Sequence, residues 1–246
     1  MRRVKRKIWA GTVLEQIVYP VSDRGDIKEA KPRVRFKSEA ERIAHRDAIA
    51  RRRFVRLVNA NHGPFSFYST LTFDMEHEVF TWDEAKSVRK AFIRALRRAY
   101  PEAKILLVMG RGKSTARIHF HMISAGIPRA EILRLWKYGD VVEAKPLRRH
   151  NRYGGVDHKT DYTGLASYLF DHWTEDQGGH RYYATRNHKK ADREAVTEVK
   201  RDYTEEKAPA APKGYRLVEA KSTAFGYIYY KYIFDPDVNF ETGEIE

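Results

Sequence analysis

The sequence predicts an α+β fold in which helices pack on one face of an antiparallel sheet. Between residues 65 and 144 the predicted elements follow the order strand, helix, strand, strand, helix, strand. The strands show two-residue alternation or a short apolar run, whereas the helices show apolar residues three and four positions apart. A sheet covered on one face only leaves its other face open to a ligand.

Composition excludes several classes of protein. The chain has 246 residues, and 42% of them are hydrophobic, which is enough for a packed core. It contains no cysteine, which excludes disulfides, thiolate metal sites and a cysteine nucleophile. No run of about 18 apolar residues is present, so no membrane span is predicted. We expect a cytoplasmic monomer.

Positive charge is concentrated in the first quarter of the chain. The formal net charge is +14, and residues 1–60 hold 17 Lys and Arg against 7 Asp and Glu. Such an excess favours a polyanionic partner, most simply nucleic acid, although a solvated basic surface is the alternative. The organisation predicted from composition is a basic N-terminal arm at 1–37, a main domain at 38–234 and an acidic tail at 235–246.

The first predicted helix covers residues 38–60. Ser38 can cap its N-terminus, and Glu41 stands three residues later, which is the pattern of a capping box. Proline and glycine interrupt the preceding arm, where only Ile8–Val21 has strand character.

The central elements follow in a regular order. Apolar periodicity and turn residues predict strands at 65–73, 104–109, 116–124 and 140–144, helices at 81–100, 128–138 and 161–173, a loop at 145–158, and final strands at 215–220 and 225–234. The order from 65 to 144 is that of a ferredoxin-like domain.

Two histidines share one face of a predicted strand. In His119-Phe120-His121 the alternation of side chains sends both imidazoles to one face and Phe120 to the other. Two neighbouring imidazoles can bind one divalent ion. The alternative is a pair of surface histidines on a half-exposed strand.

A tyrosine and a third histidine share one face of a predicted helix. Tyr168 and His172 are four residues apart, so they lie on neighbouring turns. A phenol beside a metal-bound phosphate can attack phosphorus and form a covalent phosphotyrosine, and the histidine can complete the metal site. The alternative is a core tyrosine and a surface histidine.

Three motifs together resemble the HUH endonucleases. STLTFD at 69–74, HFH at 119–121 and LASYLFDHW at 165–173 come in the order found in that family. The chain is most similar to rolling-circle replication initiator proteins of phages and integrative elements. The resemblance extends from Phe67 to Trp173, and more loosely through His180–Lys190.

The resemblance implies a fold, a reaction and partners. In an HUH endonuclease fold, His119 and His121 would bind Mg²⁺ or Mn²⁺, and the ion would polarise a phosphate of single-stranded DNA at an origin hairpin. Tyr168 would attack, leaving a 5′-phosphotyrosine and a free 3′-hydroxyl that primes rolling-circle synthesis. The sequence has no recognisable helicase segment, so a host helicase would separate the strands.

Two positions depart from the pattern of these initiators. Many of them carry a lysine three or four residues after the tyrosine, where this chain has Asp171 and His172. Many carry a glutamate eight or nine residues before the first histidine, where this chain has Gly110 and Arg111. In similar HUH transposases the third ligand follows the tyrosine by one turn. The resemblance therefore favours His172 as third ligand, with Asp171 or Asp161 as alternatives.

Basic residues near these motifs are candidate DNA contacts. Gly110–Thr115 lacks the spacing and the following helix of a phosphate-binding loop, so a hairpin turn is predicted. Arg111, Lys113 and Arg117 around this turn can bind phosphates. Arg181 and Arg186, which flank two tyrosines, can contact unpaired bases and phosphates.

Three functions are consistent with the sequence. The first is metal-dependent nicking and strand transfer that initiates rolling-circle replication. The second is a non-catalytic nucleic-acid-binding module of the same fold, since the usual lysine and glutamate are missing. The third is the same chemistry in an HUH transposase or a conjugative relaxase.

Overall fold

A computed structural model describes residues 2–23, 37–112, 116–148, 150–153, 156–159, 161–174, 177–223 and 226–235. Within these ranges the chain forms four helices and strands that pair antiparallel, which confirms the predicted α+β class. No helix in the described ranges combines the length and the apolar character needed to cross a membrane.

The chain divides into two compact units, each assembled from segments that are distant in sequence. Unit 1 comprises residues 1–60, 150–161 and 190–246, and unit 2 comprises residues 61–149 and 162–189. This division differs from the predicted arm at 1–37, domain at 38–234 and tail at 235–246. The reason is strand pairing between the two ends of the chain, which local sequence does not reveal. Residues 236–246 of the predicted tail lie outside the described residues.

Unit 1 is built on an antiparallel sheet that begins with the predicted arm. Strands β1 (Arg2–Ala10) and β2 (Val13–Val21) form a hairpin at Gly11, whose φ of 61° favours glycine. A Cβ at this glycine would lie 2.1 Å from the carbonyl oxygen of Asn59, so the turn also needs close backbone approach. Residues 2–10 and 13–21 of the predicted arm therefore belong to a sheet, whereas residues 24–36 lie outside the described residues.

The C-terminal strands complete this sheet. The added strands are β10 (Asp192–Arg193), β11 (Thr197–Val199), β12 (Tyr215–Thr223) and β13 (Tyr227–Phe234). The order of the sheet is β10-β1-β2-β13-β12, and β11 also pairs with β1. Pairing of β13 with β2 is what joins the N- and C-terminal parts of the chain.

The first helix agrees with its prediction to within one residue. Helix α1 spans Glu39–Asn61, and the Ser38 hydroxyl accepts from the Glu41 backbone N–H at 3.2 Å. The Glu41 carboxylate accepts in return from the Lys37 N–H at 2.6 Å, so the predicted cap forms. A separate hairpin, β7 (His150–Tyr153) and β8 (Val156–Lys159), occupies part of the predicted loop.

Unit 2 holds the predicted central elements. In chain order they are β3 (Phe67–Thr72), α2 (Trp82–Ala99), β4 (Lys104–Arg111), β5 (Ile118–Ala125), α3 (Arg129–Leu135), β6 (Val141–Pro146), α4 (Thr163–Phe170) and β9 (Tyr183–Ala184). The sheet order is β6-β3-β5-β4-β9, with β5 at the centre. Helix α2 starts at Thr81, which forms a capping box with Glu84.

One face of the unit 2 sheet packs against α2 and α3. Phe120 of β5 is fully buried, and its ring contacts Trp136, which also contacts Phe92 of α2. Phe67, Leu71 and Phe73 join this core, as the alternation of the strand predicts. His119 and His121 therefore face the other way. Helix α4 lies on that second face, so the predicted open face is partly covered.

The segment after β9 is fixed to the edge of this sheet by polar contacts. Thr185 donates its backbone N–H to Ile105 O at 3.0 Å and accepts from the Ile105 N–H at 3.1 Å. Nearby, the Nε2 atoms of His62 and His188 lie 3.2 Å apart. Burial lowers the pKa of His62 from 6.5 to about 3, and His188 and Lys104 add to this effect. The His62 imidazole is therefore neutral in the folded protein near pH 7.

The lowered pKa of His62 makes the free energy of unfolding depend on pH. Because the folded pKa lies below the unfolded value, the unfolded chain binds more protons between about pH 3 and pH 6.5. The contribution to stability is complete above that window and is lost as pH falls. Between pH 7 and pH 5 it lowers the free energy of unfolding by about 2 kcal/mol. Urea titrations should show this fall reduced in His62→Gln but retained in the exposed control His180→Gln, and equal falls in all three proteins would contradict the assignment.

Candidate metal centre

The site begins with the two histidines of the central strand. In the register of β5 with its neighbours, Thr70 stands opposite His121, while Thr72 and Gly110 stand opposite His119 on either side. The two imidazole Nε2 atoms lie 3.0 Å apart. The strand thus holds two nitrogen ligands side by side on one face, as the alternation predicts.

The third histidine comes from the end of α4. The helix ends at Phe170, Asp171 is its C-cap, and the His172 backbone N–H donates to Leu169 O at 3.2 Å. This turn places the His172 ring 4.4 Å from the His121 ring and 6.0 Å from the His119 ring, measured between centroids. The three histidines each offer one nitrogen, and these atoms lie within 4.8 Å of one another.

Hydrogen bonds at Nδ1 orient all three rings. His172 Nδ1 donates to Tyr168 O at 2.8 Å, and His119 Nδ1 donates to Arg117 O at 3.4 Å. His121 Nδ1 lies 2.8 Å from the Tyr68 hydroxyl, which can accept a hydrogen bond from its N–H. With the proton on Nδ1, each Nε2 lone pair is free for a metal.

Burial keeps the inner histidines neutral. His121 is 3% exposed, and desolvation followed by the two neighbouring histidines lowers its pKa to about 3. Desolvation also lowers the pKa of His119. A metal ligand must be deprotonated, so neutral imidazoles near pH 7 suit this role. The donor set therefore fits one divalent ion, and no ion identity follows from it alone.

Tyr168 stands at the open side of the cluster. Its side chain is 51% exposed, whereas its helix neighbours Leu169 and Phe170 are buried. Its ring centroid lies 4.3 Å from that of His172 and 5.8 Å from that of His121. An exposed phenol next to three imidazoles can meet a phosphate that reaches them from solvent.

A glycine that the sequence singled out only as a departure makes room for this cluster. A Cβ at Gly110 would lie 2.8 Å from His172 Cδ2 and 3.1 Å from His119 Nε2. Any larger side chain there would displace the His172 ring. The His172 ring therefore fills the space beside residue 110, which is one of the two positions at which many similar initiators carry a glutamate. One indication of this packing was present in the sequence, since a missing glutamate at 110 or 111 and a histidine at 172 occur in the same chain.

Tyr68 and Thr70 of β3 also contact the histidine cluster, which the sequence does not indicate. The Thr70 hydroxyl donates to the Tyr68 hydroxyl at 3.3 Å and lies 3.4 Å from His121 Nδ1. The Tyr68 ring also stacks on His121, with a centroid distance of 5.8 Å. The two residues therefore hold His121 in one orientation. Their proximity depends on the register between β3 and β5, which the sequence does not specify.

Loss of the Tyr68 hydroxyl should weaken metal binding. Removing a hydrogen-bond partner of a metal-ligating histidine typically costs about 10- to 100-fold in affinity. We expect Tyr68→Phe to raise the dissociation constant for Mn²⁺ by that factor, as measured by isothermal titration calorimetry. Tyr203→Phe, in unit 1, should leave it unchanged. Equal affinity in Tyr68→Phe and wild type would exclude this orienting role.

The alternative third ligands lie elsewhere. Asp161 belongs to unit 1, where it is fully buried, accepts from Asn59 and forms an ion pair with Lys231. Asp171 is exposed, and the metal-ligand cluster found among the described residues contains histidines only. His172 is therefore the predicted ligand that the structure brings to His119 and His121.

The predicted DNA contacts have different surroundings. The Arg111 guanidinium lies 4.8 Å from the centre of the Trp82 ring. Arg117 donates to Phe73 O at 2.9 Å and pairs with Glu78 at 2.8 Å, so its charge is partly neutralised. Arg181 lies 4.4 Å from the ring centres of Phe170 and Trp173, beside α4.

The other two predicted DNA contacts are Arg186 and Lys113. Arg186 is exposed in the turn that follows β9. Lys113 lies outside the described residues. The partners of Arg111 and Arg117 come from distant segments, and those of Arg181 come from the end of α4 and the residues after it, so the sequence alone did not indicate them.

Comparison with models of known protein families, with curated proteins and with solved structures finds no match for this chain.

Proposed function

We propose that the protein nicks single-stranded DNA and transfers the strand through a covalent bond to Tyr168, in a metal-dependent reaction that initiates rolling-circle replication. The observation that carries this proposal is the cluster of His119, His121 and His172 with an exposed tyrosine against it. Metal ligands alone occur in many hydrolases, but an adjoining exposed phenol adds a nucleophile.

The arrangement of unit 2 supports the same proposal. Its strand and helix order from β3 to β6 and its sheet order β6-β3-β5-β4 are those of a ferredoxin-like domain. The proposed family is the HUH endonucleases, with the two-histidine motif on the central strand and the tyrosine on a helix over the same face.

The chain's own residues account for the steps of the reaction. A bound divalent ion would withdraw charge from the scissile phosphate. Tyr168 Oη would form a bond to phosphorus and release its proton to water, while the bond from phosphorus to the 3′-oxygen would break. The 3′-oxygen would take up a proton from water and leave as a hydroxyl, so no net proton is gained or lost. Tyr68 and the backbone carbonyls of Arg117 and Tyr168 would keep the three ligands oriented. Attack by a 3′-hydroxyl on the phosphotyrosine reverses these bond changes and reseals a strand.

The donor set favours Mn²⁺ over Mg²⁺ within the pair that the resemblance implies. Mg²⁺ requires oxygen ligands in a strict octahedron, whereas Mn²⁺ is a first-row transition ion and binds imidazole nitrogen more readily than Mg²⁺ does, although less tightly than Fe²⁺, Ni²⁺, Cu²⁺ or Zn²⁺. Three imidazoles and no carboxylate make up the cluster that the described residues provide. Phosphate and water oxygens would fill the remaining positions.

A cleavage assay tests the proposed function. Single-stranded oligonucleotides that tile both strands around the gene are incubated with the full-length protein and Mn²⁺, with EDTA as a parallel reaction. We expect a covalent protein–DNA band on a denaturing gel with Mn²⁺ and none with EDTA. Absence of a band on every oligonucleotide, despite firm binding, would overturn the proposal.

A non-catalytic nucleic-acid-binding module is the second candidate. The observation in its favour is that Asp171 and His172 stand where many similar initiators carry a lysine. Gly110 and Arg111 stand where many carry a glutamate. This candidate predicts salt-sensitive DNA binding that EDTA and His119→Ala leave unchanged. Metal-dependent nicking would exclude it.

Transposition or conjugative transfer would use the same chemistry. Its support is the position of His172, which the structure brings to the other two histidines as in the transposases that the sequence resembles. Genes beside this one would discriminate, because a solitary gene between short hairpins indicates a transposon.

A further inference from the structure

A groove lies on the outer surface of unit 2, between α2 and the edge strand β9. Its volume is about 600 Å³. The side chains that line it include five cations from consecutive turns of α2 and one aromatic ring from β9: Arg89, Lys90, Arg94, Arg97, Arg98 and Tyr183. No acidic residue lines the groove.

These cations are not neutralised within the described part of the chain. Among the described residues none of the five forms an ion pair, although Lys86, on the same helix, pairs with Asp83 at 3.0 Å. Arg89 is partly buried, and desolvation lowers the pKa of its guanidinium while Tyr183 opposes that effect. Five like charges within about two and a half turns favour an anionic ligand, because their mutual repulsion is relieved when it binds.

The groove is on the opposite side of the sheet from the histidines. Phe92, Ile93 and Leu96 of α2 are buried in the core that contains Phe120. His119 and His121 project from the other face of β5. A ligand in the groove therefore does not touch the metal centre.

The spacing of the charges suits a phosphate backbone. Lys90, Arg94 and Arg98 repeat every four residues, so they rise by about 6 Å per step and cover about 12 Å of the helix axis. A single strand that keeps the stacked geometry of one duplex strand carries a charge about every 3.4 Å along its axis, so this length corresponds to three or four of its phosphates. Tyr183 adds an aromatic ring, as in surfaces that stack unpaired bases.

We propose that this groove binds the phosphate backbone of single-stranded DNA as a second site, separate from the face that carries the histidines. A strand held there would be retained by the protein while another part of the DNA reaches Tyr168. Binding in the groove requires neither a metal nor the nucleophile. It can therefore be measured whether or not the protein nicks DNA.

The test compares two triple variants with equal loss of charge. Fluorescence anisotropy measures binding of a labelled oligothymidylate of about 30 nucleotides to the full-length protein in EDTA, over a series of salt concentrations. The groove variant is Arg94→Gln/Arg97→Gln/Arg98→Gln, which changes exposed side chains only. The control is Lys200→Gln/Arg201→Gln/Lys213→Gln, three exposed cations of unit 1. Circular dichroism checks that both variants fold.

We expect the groove variant to bind at least about tenfold more weakly at low salt. The slope of log K against log salt should become less steep by about 2, since each lost phosphate contact on a single strand contributes about 0.7. The control should change the slope by much less. The same difference should be found in a Tyr168→Phe background, which separates this site from the proposed reaction.

Three outcomes would overturn the proposal. Equal effects of the two triple variants would mean that only overall charge matters. In a parallel titration with a labelled duplex, loss of affinity in the groove variant with no loss for the single strand would assign the groove to duplex DNA. In a parallel titration with labelled polyglutamate, loss of binding by the groove variant with unchanged affinity for the oligonucleotide would assign the groove to an acidic polypeptide. If wild type nicks DNA and any of these results is found, the second site fails while the proposed function stands.

Discussion

Tyr168→Phe is expected to abolish the covalent adduct and to lower the rate of nicking by about 10⁴-fold or more, because removal of a nucleophile eliminates the bond-forming step. The phenylalanine ring keeps the contacts with His172 and His121, so only the reacting oxygen is lost. The measurement is single-turnover cleavage of an oligonucleotide that the wild type cuts, in Mn²⁺, followed on a denaturing gel.

Two controls make this result specific. Tyr203→Phe removes a hydroxyl in unit 1 and should react like the wild type. Mn²⁺ affinity of Tyr168→Phe should equal that of the wild type, because only the backbone carbonyl of residue 168 orients His172. An adduct that persists in Tyr168→Phe would assign the nucleophile to another residue, of which Tyr68 is the nearest tyrosine to the cluster by its contact with His121.

His121→Ala is expected to have the largest effect on the metal. His121 is the most enclosed ligand, with its Nε2 at 3.0 Å from that of His119 and its ring next to His172. Its loss leaves only His119 and His172, whose ring centroids lie 6.0 Å apart. We expect Mn²⁺ affinity to fall by at least about 100-fold, beyond the effect of losing an orienting partner. Isothermal titration calorimetry measures this loss directly.

Thermal unfolding gives an independent measure of the same loss. A metal that binds only the folded state raises Tm by mass action. Mn²⁺ should therefore raise the Tm of the wild type and of the exposed control His180→Ala, but not that of His121→Ala. An equal rise in His121→Ala would show that the ion binds elsewhere.

The central elements of unit 2 were predictable because their signals are local. Helix α2 carries its own capping box at Thr81 and an apolar face, and Pro101 follows its end. The alternation in β3 and β5 specified which side chains reach the core, and Phe120 and Leu71 are fully buried there. Capping and periodicity depend on residues within one or two turns, so a single sequence reveals them.

The organisation of unit 1 was not predictable, because it depends on pairing between remote segments. β2 reads locally as part of an arm, yet it pairs with β13 more than 200 residues later, with Leu14 opposite Tyr232. Glu15 and Lys231 face each other in the same register and are both buried, a placement that their charge argues against in isolation. Local patterns carry no information on such partners.

The residues of the candidate site also fall into two groups, those that local sequence predicts and those that depend on contacts between remote segments. Spacing alone paired His119 with His121 and Tyr168 with His172, since strand and helix periods specify which side chains share a face. The meeting of these two pairs required the resemblance to a family. The roles of Gly110 and Tyr68 depend on the register of β5 with its neighbours, and they became evident only in the structure.

Mapping of the covalent adduct is the most direct test of the proposed metal-dependent reaction at Tyr168. The protein is incubated with single-stranded DNA and Mn²⁺, then digested with protease and nuclease, and the peptide that retains a nucleotide is identified by mass spectrometry. We expect a single modified peptide with the nucleotide on Tyr168, formed with Mn²⁺ and absent in EDTA or in His119→Ala. A nucleotide on any other residue, or an adduct that forms equally in EDTA, would contradict it.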